Sequence, residues 1–404
     1  MQKFEKHSPV VVTEVTTKHE LRQFMQYPNR LYADNPNYIP SFYGDDLSDW
    51  TPGKNPAFDY CEARCWLARR DGEIVGRIGA ILSHKANDKF GTHRMRFSQV
   101  DFVDDSEVSA ALFGTVERWA REKGCDQVHG PLGFTDMDRE GMLVEGFDRR
   151  SLFFTNYNAP YYLEHLTRLG YRKDVDWIEY RITVPEPGGA EAERLHKLSE
   201  FILKRKHLHV ATVHHKSEYG PFVRQVFELV NAAYAPLYGV VELSDEQIER
   251  YANKFIPLVD PDFVCFVVDE QDQLVAFGVT ALDPSVALKH SDGRLFPFGW
   301  AGVLNDLHHS DTLIMLLTAV RPDLQTEGIN AVMMDHVCQS CNRHGVRFAE
   351  TGPMLELNDH ILAQWKRLEK EQHKRRRCFI KDLDHDVNAA NAAAAAAEEA
   401  ECAQ

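Results

Sequence analysis

The chain has 404 residues, of which 44% are hydrophobic, 26% charged and 11% aromatic, as in an ordinary globular protein of two or three domains. Lys and Arg number 46 against 61 Asp and Glu, a net charge of −15. That balance argues against general nucleic-acid binding, because the surface repels polyanions. No run approaches the ~18 apolar residues of a spanning helix, so no integral membrane segment is expected. The first nine residues lack a signal-like apolar core, and eight unevenly spaced cysteines read as reduced thiols. A cytoplasmic location is expected, with peripheral contact at the inner membrane face left open.

In chain order, the pattern predicts a strand near Val10–Val15, then a helix over Lys18–Tyr32. A hairpin runs from Cys65-Trp66-Leu67-Ala68 through Arg70–Glu73 into Ile74–Ile78, apolar runs about a short polar turn. Next come a strand near Met95–Val103 and a helix Ser106–Glu122, with Ser106 as N-cap and Gly124 as stop. A strand near Gln127–Leu132, a helix Pro160–Leu169 and a strand Trp177–Val184 complete the first half. Val184-Pro-Glu-Pro-Gly-Gly interrupts regular structure, which places a linker at 185–194 between domains 1–184 and 195–383.

The second half repeats the plan. Ser244-Asp-Glu-Gln247 is a capping box opening a helix to about Leu258. A hairpin over Phe263–Leu282 follows, in which Cys265 and Val275 stand 200 residues after Cys65 and Val75. Then come a strand Thr312–Val320, a helix from about Gly328 to His344 and a strand Val346–Thr351. A helix Asp359–Lys370 and a strand Arg376–Leu383 end it. Leu362…Trp365-Lys-Arg-Leu368 echoes Leu163…Leu166-Thr-Arg-Leu169 at an offset of 199, and two matches in the same order point to duplication. The expected fold is α/β, layered, with two tandem domains of mixed, largely antiparallel sheets flanked by helices. Residues 384–404 are Ala-rich without an apolar stripe and read as a disordered tail or frayed helix.

The chemistry-bearing segment is Gln325-x-x-Gly328-x-Asn330-Ala331, straight after a strand ending Val320-Arg-Pro322. A helix N-terminus offers unpaired N–H groups, and glycine lets a phosphate approach them closely; an ordinary turn opening a surface helix is the plainer reading. The spacing resembles the pyrophosphate loop of the GCN5-related N-acetyltransferases (GNAT), although Asn330 departs from the small residue usual there. The resemblance implies that Gln325, Thr326, Glu327, Gly328, Ile329, Asn330 and Ala331 hold the pyrophosphate of an acyl-coenzyme A and that Asn358 contacts it. Backbone N–H groups near Thr318, Ala319 and Val320 would then face the acyl carbonyl. Trp365 stands where the family usually has a proton-donating tyrosine, and an indole N–H is too weak an acid for that role.

The first half has Asp101-Phe-Val-Asp-Asp-Ser-Glu-Val instead of the loop, so it reads as a domain without the cofactor and as one wall of an acceptor site. Gly130-Pro131, Glu140–Asp148, Asn158-Ala-Pro-Tyr-Tyr162 and Arg294–Gly299 are similar to a bacterial ceramide-synthase-like group of tandem GNAT acyltransferases. The resemblance implies transfer from acetyl- or long-chain acyl-coenzyme A to a small-molecule or lipid primary amine. Because an ammonium must lose a proton before it attacks, Glu350, Glu356, Glu140 and Asp138 are candidate bases. No metal is expected. The apolar stretch Leu295–Leu304 is expected to line an acyl pocket, touch a bilayer or pack on the core. Lys374-Arg-Arg-Arg377 is expected on a sheet edge, either solvated or against a phosphate or an anionic surface. The alternative to an enzyme is a non-catalytic acyl-coenzyme A sensor or scaffold.

Overall fold

The computed structural model describes residues 8–383, and the Ala-rich segment 384–404 lies outside the described residues. The first half supplies strands β1 (Val11–Glu14), β2 (Cys61–Arg70), β3 (Glu73–Ser83), β4 (Arg94–Phe102), β5 (Gln127–Gly130), β6 (Met142–Glu145) and β7 (Arg172–Thr183). Its helices are α1 (Lys18–Leu31), α2 (Tyr43–Asp49), α3 (His84–Phe90), α4 (Ser106–Glu122) and α5 (Tyr162–Arg168). The second half adds β8 (His209–Val210), β9 (Val264–Val268), β10 (Leu274–Leu282), β11 (Thr312–Val320), β12 (Phe348–Glu350), β13 (Met354–Leu355) and β14 (Lys370–Asp382). Its helices are α6 (Ala190–Lys206), α7 (Gly220–Tyr234), α8 (Asp245–Phe255), α9 (Ser285–His290), α10 (Gly299–His309), α11 (Asn330–His344) and α12 (Asp359–Ala363).

Local chemistry accounts for the helix starts. Thr17 and Glu20 close a capping box on α1, and Ser244 and Gln247 close the expected one on α8. The cap of α4 is Asp105, not Ser106. The helix after Asn358 ends at Ala363, short of the expected Lys370, because Lys370 already belongs to β14. Helix α6 begins at Ala190, within the segment read as linker.

All 14 strands join one sheet, where two were expected. Its order is β1-β2-β3-β4-β5-β14-β7-β12-β11-β10-β9-β8, with β6 on β14 and β13 on β7. Pairing is antiparallel except for β4–β5 and β11–β12. The closing strands cross over. Strand β14, from the end of the second half, pairs with β5 and β6, whereas β7 pairs with β12, β13 and β14. Separate apolar clusters sit in the two halves, one under α4 and one between α6, α11 and the sheet.

The crossing puts Lys374 and Arg376 in the middle of the sheet, fully buried, where an exposed edge was expected for that basic run. Arg376 Nε lies 2.5 Å from a Glu179 oxygen, and Lys374 Nζ lies 3.2 Å from both Glu179 and Glu350. Burial alone would raise the Glu179 pKa, but Arg376 and Lys374 hold it down to about 2. Its charge therefore stabilises the fold fully above the unfolded value near 4.3, and that contribution is lost as pH falls toward 2. Glu179→Gln leaves two buried cations short of a partner and should cost about 3–5 kcal/mol. Urea denaturation at pH 7 checks this, and the loss should shrink as pH falls below 4.

Candidate active site

Strands β11 and β12 begin parallel and then part. Only Thr312–Ile314 pair with Phe348–Glu350; from Met315 onward β11 has no partner on that side. An apolar cleft opens beside the gap. It is lined by Met315, Leu317 and Thr318 of β11, Met333, Met334 and Val337 of α11, and Leu195, Trp365 and Leu368. Flexible methionines suit such a surface to chains of variable shape.

The loop into α11 stands beside this cleft. Gly328 has φ +80°, the left-handed region, and a Cβ there would lie 3.1 Å from Ile202 of α6. No side chain caps α11. Among the described residues, no acceptor takes the N–H groups of Gln325, Thr326, Gly328, Ile329 or Asn330. Gln325 folds back on the Val320 carbonyl at 3.4 Å, Glu327 pairs with Lys206 at 2.6 Å, Ile329 is buried, and Asn330 faces the cleft. Ala331 lies buried under the first turn. The open N–H groups and the apolar gap fit a phosphate-bearing thioester.

The first half repeats this geometry and closes it. Strands β4 and β5 pair over three residues, Arg94–Arg96 with Gln127–His129, but Tyr162 fills the space beyond. Its ring packs 4.1 Å from Phe102, and its hydroxyl accepts the Phe102 N–H at 2.7 Å. At the start of α4, the Asp105 carboxylate takes the N–H groups of Glu107 and Val108 and is itself held by Arg70 at 2.5 Å. That terminus already has its anion.

Among solved structures, the chain matches the tandem GNAT protein from the clavulanic acid biosynthesis pathway over 93% of this chain and 99% of that one, with a TM-score of 0.53 at 14% identity. A GCN5-related N-acetyltransferase from Sphaerobacter thermophilus matches over 93% and 96%, with a TM-score of 0.50 at 13% identity. The chain has the tandem GNAT fold. It is 27% identical over 379 residues to Protein YghO of Escherichia coli (strain K12), covering 92% of this chain and 95% of that protein. It is 28% identical over 300 residues to bacterial ceramide synthase of Caulobacter vibrioides, covering 72% and 75%. No family model matches it.

Within this tandem GNAT frame the expected bases separate. Glu350 is buried and ion-paired to Lys374. Hydrogen bonds from Lys173, at 2.8 Å, and Arg375, at 2.6 Å, hold the Glu356 carboxyl below its usual range. Both are bound into ion pairs. Asp138 and Glu140 lie on the first-half loop 131–141, which leans on the second half through Thr135 and Tyr251, 2.7 Å apart, and through Met137. Burial raises the pKa of both, and burial with the charge of Asp138 pushes Asp136 to about 6. Sequence reasoning missed Asp136, which no motif or spacing marked out.

Asn358 spends its side-chain oxygen capping α12. Trp365 is buried, its indole N–H directed at the Met354 sulfur at 3.2 Å. Thr318 lines the cleft, whereas Ala319 and Val320 pack into apolar clusters. The Leu295–Leu304 stretch does not line the cleft and is split: Leu295 and Val303 pack into an apolar cluster, whereas Phe296 and Phe298 are each 80% exposed and Trp300 is 47% exposed. One trio of possible metal ligands occurs among the described residues, His129, Asp174 and Cys378. The Tyr238 hydroxyl bonds to all three, at 2.9, 2.5 and 3.5 Å, which accounts for the grouping without an ion.

If the open N–H groups of α11 take phosphate, Gly328→Asp sets a carboxylate against it. Coenzyme A binding should then disappear in calorimetry, while a left-handed aspartate costs only about 1–2 kcal/mol of stability. A folded variant with unchanged affinity would refute the assignment.

Proposed function

We propose that the protein is an acyl-coenzyme A-dependent N-acyltransferase that forms an amide on a primary amine, with a long-chain amine as in bacterial ceramide synthesis the favoured acceptor. The observation that carries this reading is the asymmetry of the two helix termini: α4 is capped by its own Asp105, while α11 opens uncapped beside an apolar gap. The 28% identity to a protein named bacterial ceramide synthase supports the acceptor class.

In the proposed reaction, loop residues 325–331 hold the pyrophosphate, and the thioester lies along Met315–Thr318. The ammonium first passes one proton to a carboxylate of loop 131–141, of which Asp136, near 6, is matched to neutral pH. The neutral nitrogen then attacks the carbonyl carbon, the C–S bond breaks, and the second proton shed by the nitrogen reaches the leaving thiolate through solvent, so that coenzyme A departs as its thiol. Trp365 favours the second reading, a sensor or scaffold that binds the thioester without turnover, since it offers no proton to a leaving thiolate.

Release of free thiol separates the two. Palmitoyl- or acetyl-coenzyme A mixed with sphinganine should release thiol only when all components are present. Binding of the thioester without release with any amine would favour the sensor.

The aromatic residues on the α9–α10 insertion support peripheral contact with a lipid surface. Trp300 satisfies its indole N–H on the Pro297 carbonyl at 3.2 Å, so its ring can enter an apolar layer without stranding a donor. Phe296→Ser with Phe298→Ser should lower co-sedimentation with phosphatidylglycerol-containing vesicles severalfold. The melting temperature should not move, because exposed side chains contribute little packing.

A further inference from the structure

A second, smaller cavity lies where the two halves meet. The first half contributes Phe42, Trp50, Phe134 and Phe153, and the second contributes Lys254 and Phe255. Its polar lining is unbalanced. Four carboxylates face it, Asp45, Asp46, Asp49 and Asp138, against Lys254 and Arg139. Both cations are committed: Lys254 lies 3.5 Å from Asp49 and 3.9 Å from Asp45, and Arg139 lies 2.8 Å from Asp46.

Asp138 is the carboxylate left over. It accepts the N–H groups of Phe134 and Thr135 at 2.8 and 3.2 Å and the Tyr251 hydroxyl at 3.3 Å, but has no Lys or Arg within 4.0 Å among the described residues. The same cavity is lined by Gln99, in a bulge of β4 where the backbone takes φ +46°. That conformation is costly for a residue with a side chain. The Gln99 Oε1 is buried without a hydrogen-bond partner, a condition that native structures rarely leave unexplained. A carboxylate without a counter-cation and an amide oxygen without a donor therefore line one aromatic-walled chamber, which is the complement of an ammonium group on an apolar body.

The chamber also reaches the proposed thioester. Met137, on its lining, packs against the same apolar cluster as Leu316 and Leu317 of β11, and the Phe154 ring lies 3.5 Å from the Cβ position of Gly352, beside the Met315 carbonyl. Phe42, Phe153 and Phe154 further pack with Leu288, Leu295 and Val303 of the exposed aromatic insertion.

Resting on the acyltransferase reading, we infer that this chamber is the acceptor site, and that it takes a primary ammonium with an apolar body, the nitrogen donating to Asp138 and Gln99. The test is calorimetry of the full chain with n-octylamine, n-octanol and coenzyme A. Octylamine should bind at least tenfold more tightly than octanol. Asp138→Asn should weaken octylamine at least tenfold while leaving octanol and coenzyme A within twofold. Gln99→Asn, which tolerates the left-handed backbone and draws the amide back by one methylene, should do the same and serves if Asp138→Asn fails to fold. Equal affinity for octylamine and octanol, or octylamine binding unchanged in the folded variants, overturns the acceptor site whatever coenzyme A does. Selective octylamine binding with no coenzyme A binding would instead overturn the acyltransferase reading and leave the amine site standing.

Discussion

The contacts between Glu179, Lys374, Glu350 and Arg376 hold the center of the molecule together, and they exist because the closing strands cross between halves. A lysine and an arginine in a central strand are costly to bury unless carboxylates meet them at contact distance. Strand β7 supplies Glu179 and β12 supplies Glu350, so the charges of three strands from two halves neutralise each other. The same arrangement fixes where β12 stands relative to β11, and hence where the gap between them opens. The proposed cofactor cleft is in this sense a product of the strand crossing.

Duplication gave two equivalent places for a phosphate-bearing ligand, and elementary electrostatics distinguishes them. A helix start has N–H groups that must be met by something. In α4 they are met from within by Asp105, whose charge is itself anchored by Arg70, and the space alongside is filled by Tyr162 and Phe102. In α11, Gly328 turns the chain in a left-handed step with no side chain to interfere, and among the described residues the N–H groups are left without an acceptor. One half closed its site with a carboxylate and an aromatic ring; the other left both out.

Much of this was legible from local pattern. The helix Ser106–Glu122, the Ser244 capping box, the two hairpins and the strand Thr312–Val320 depend on neighbours a few residues away, and the structure places them as the sequence predicts. Apart from the α4 cap, one residue off, the departures involve distant partners. Lys374–Arg377 resembles a solvated edge until Glu179 and Glu350, remote in sequence, are brought beside it. Glu350 and Glu356 looked like bases because their cations come from other strands. The apolar stretch around Phe296 resembles core by composition alone, and only the packing of α9 and α10 determines that its aromatic rings face outward. Asp136 gave no signal because its environment is built jointly by both halves.

Strand β7 finds no partner within its own half: β12, β13 and β14 all come later in the chain. During synthesis, β7 therefore remains without a sheet until the ribosome has released Phe348–Leu355, and β5 presents an open edge until it has released Lys370–Asp382. An unpaired edge in a nascent chain is a template for association with other chains. The charges of β14 and its neighbours, so costly in the finished core, keep these late-pairing segments polar and soluble while they wait.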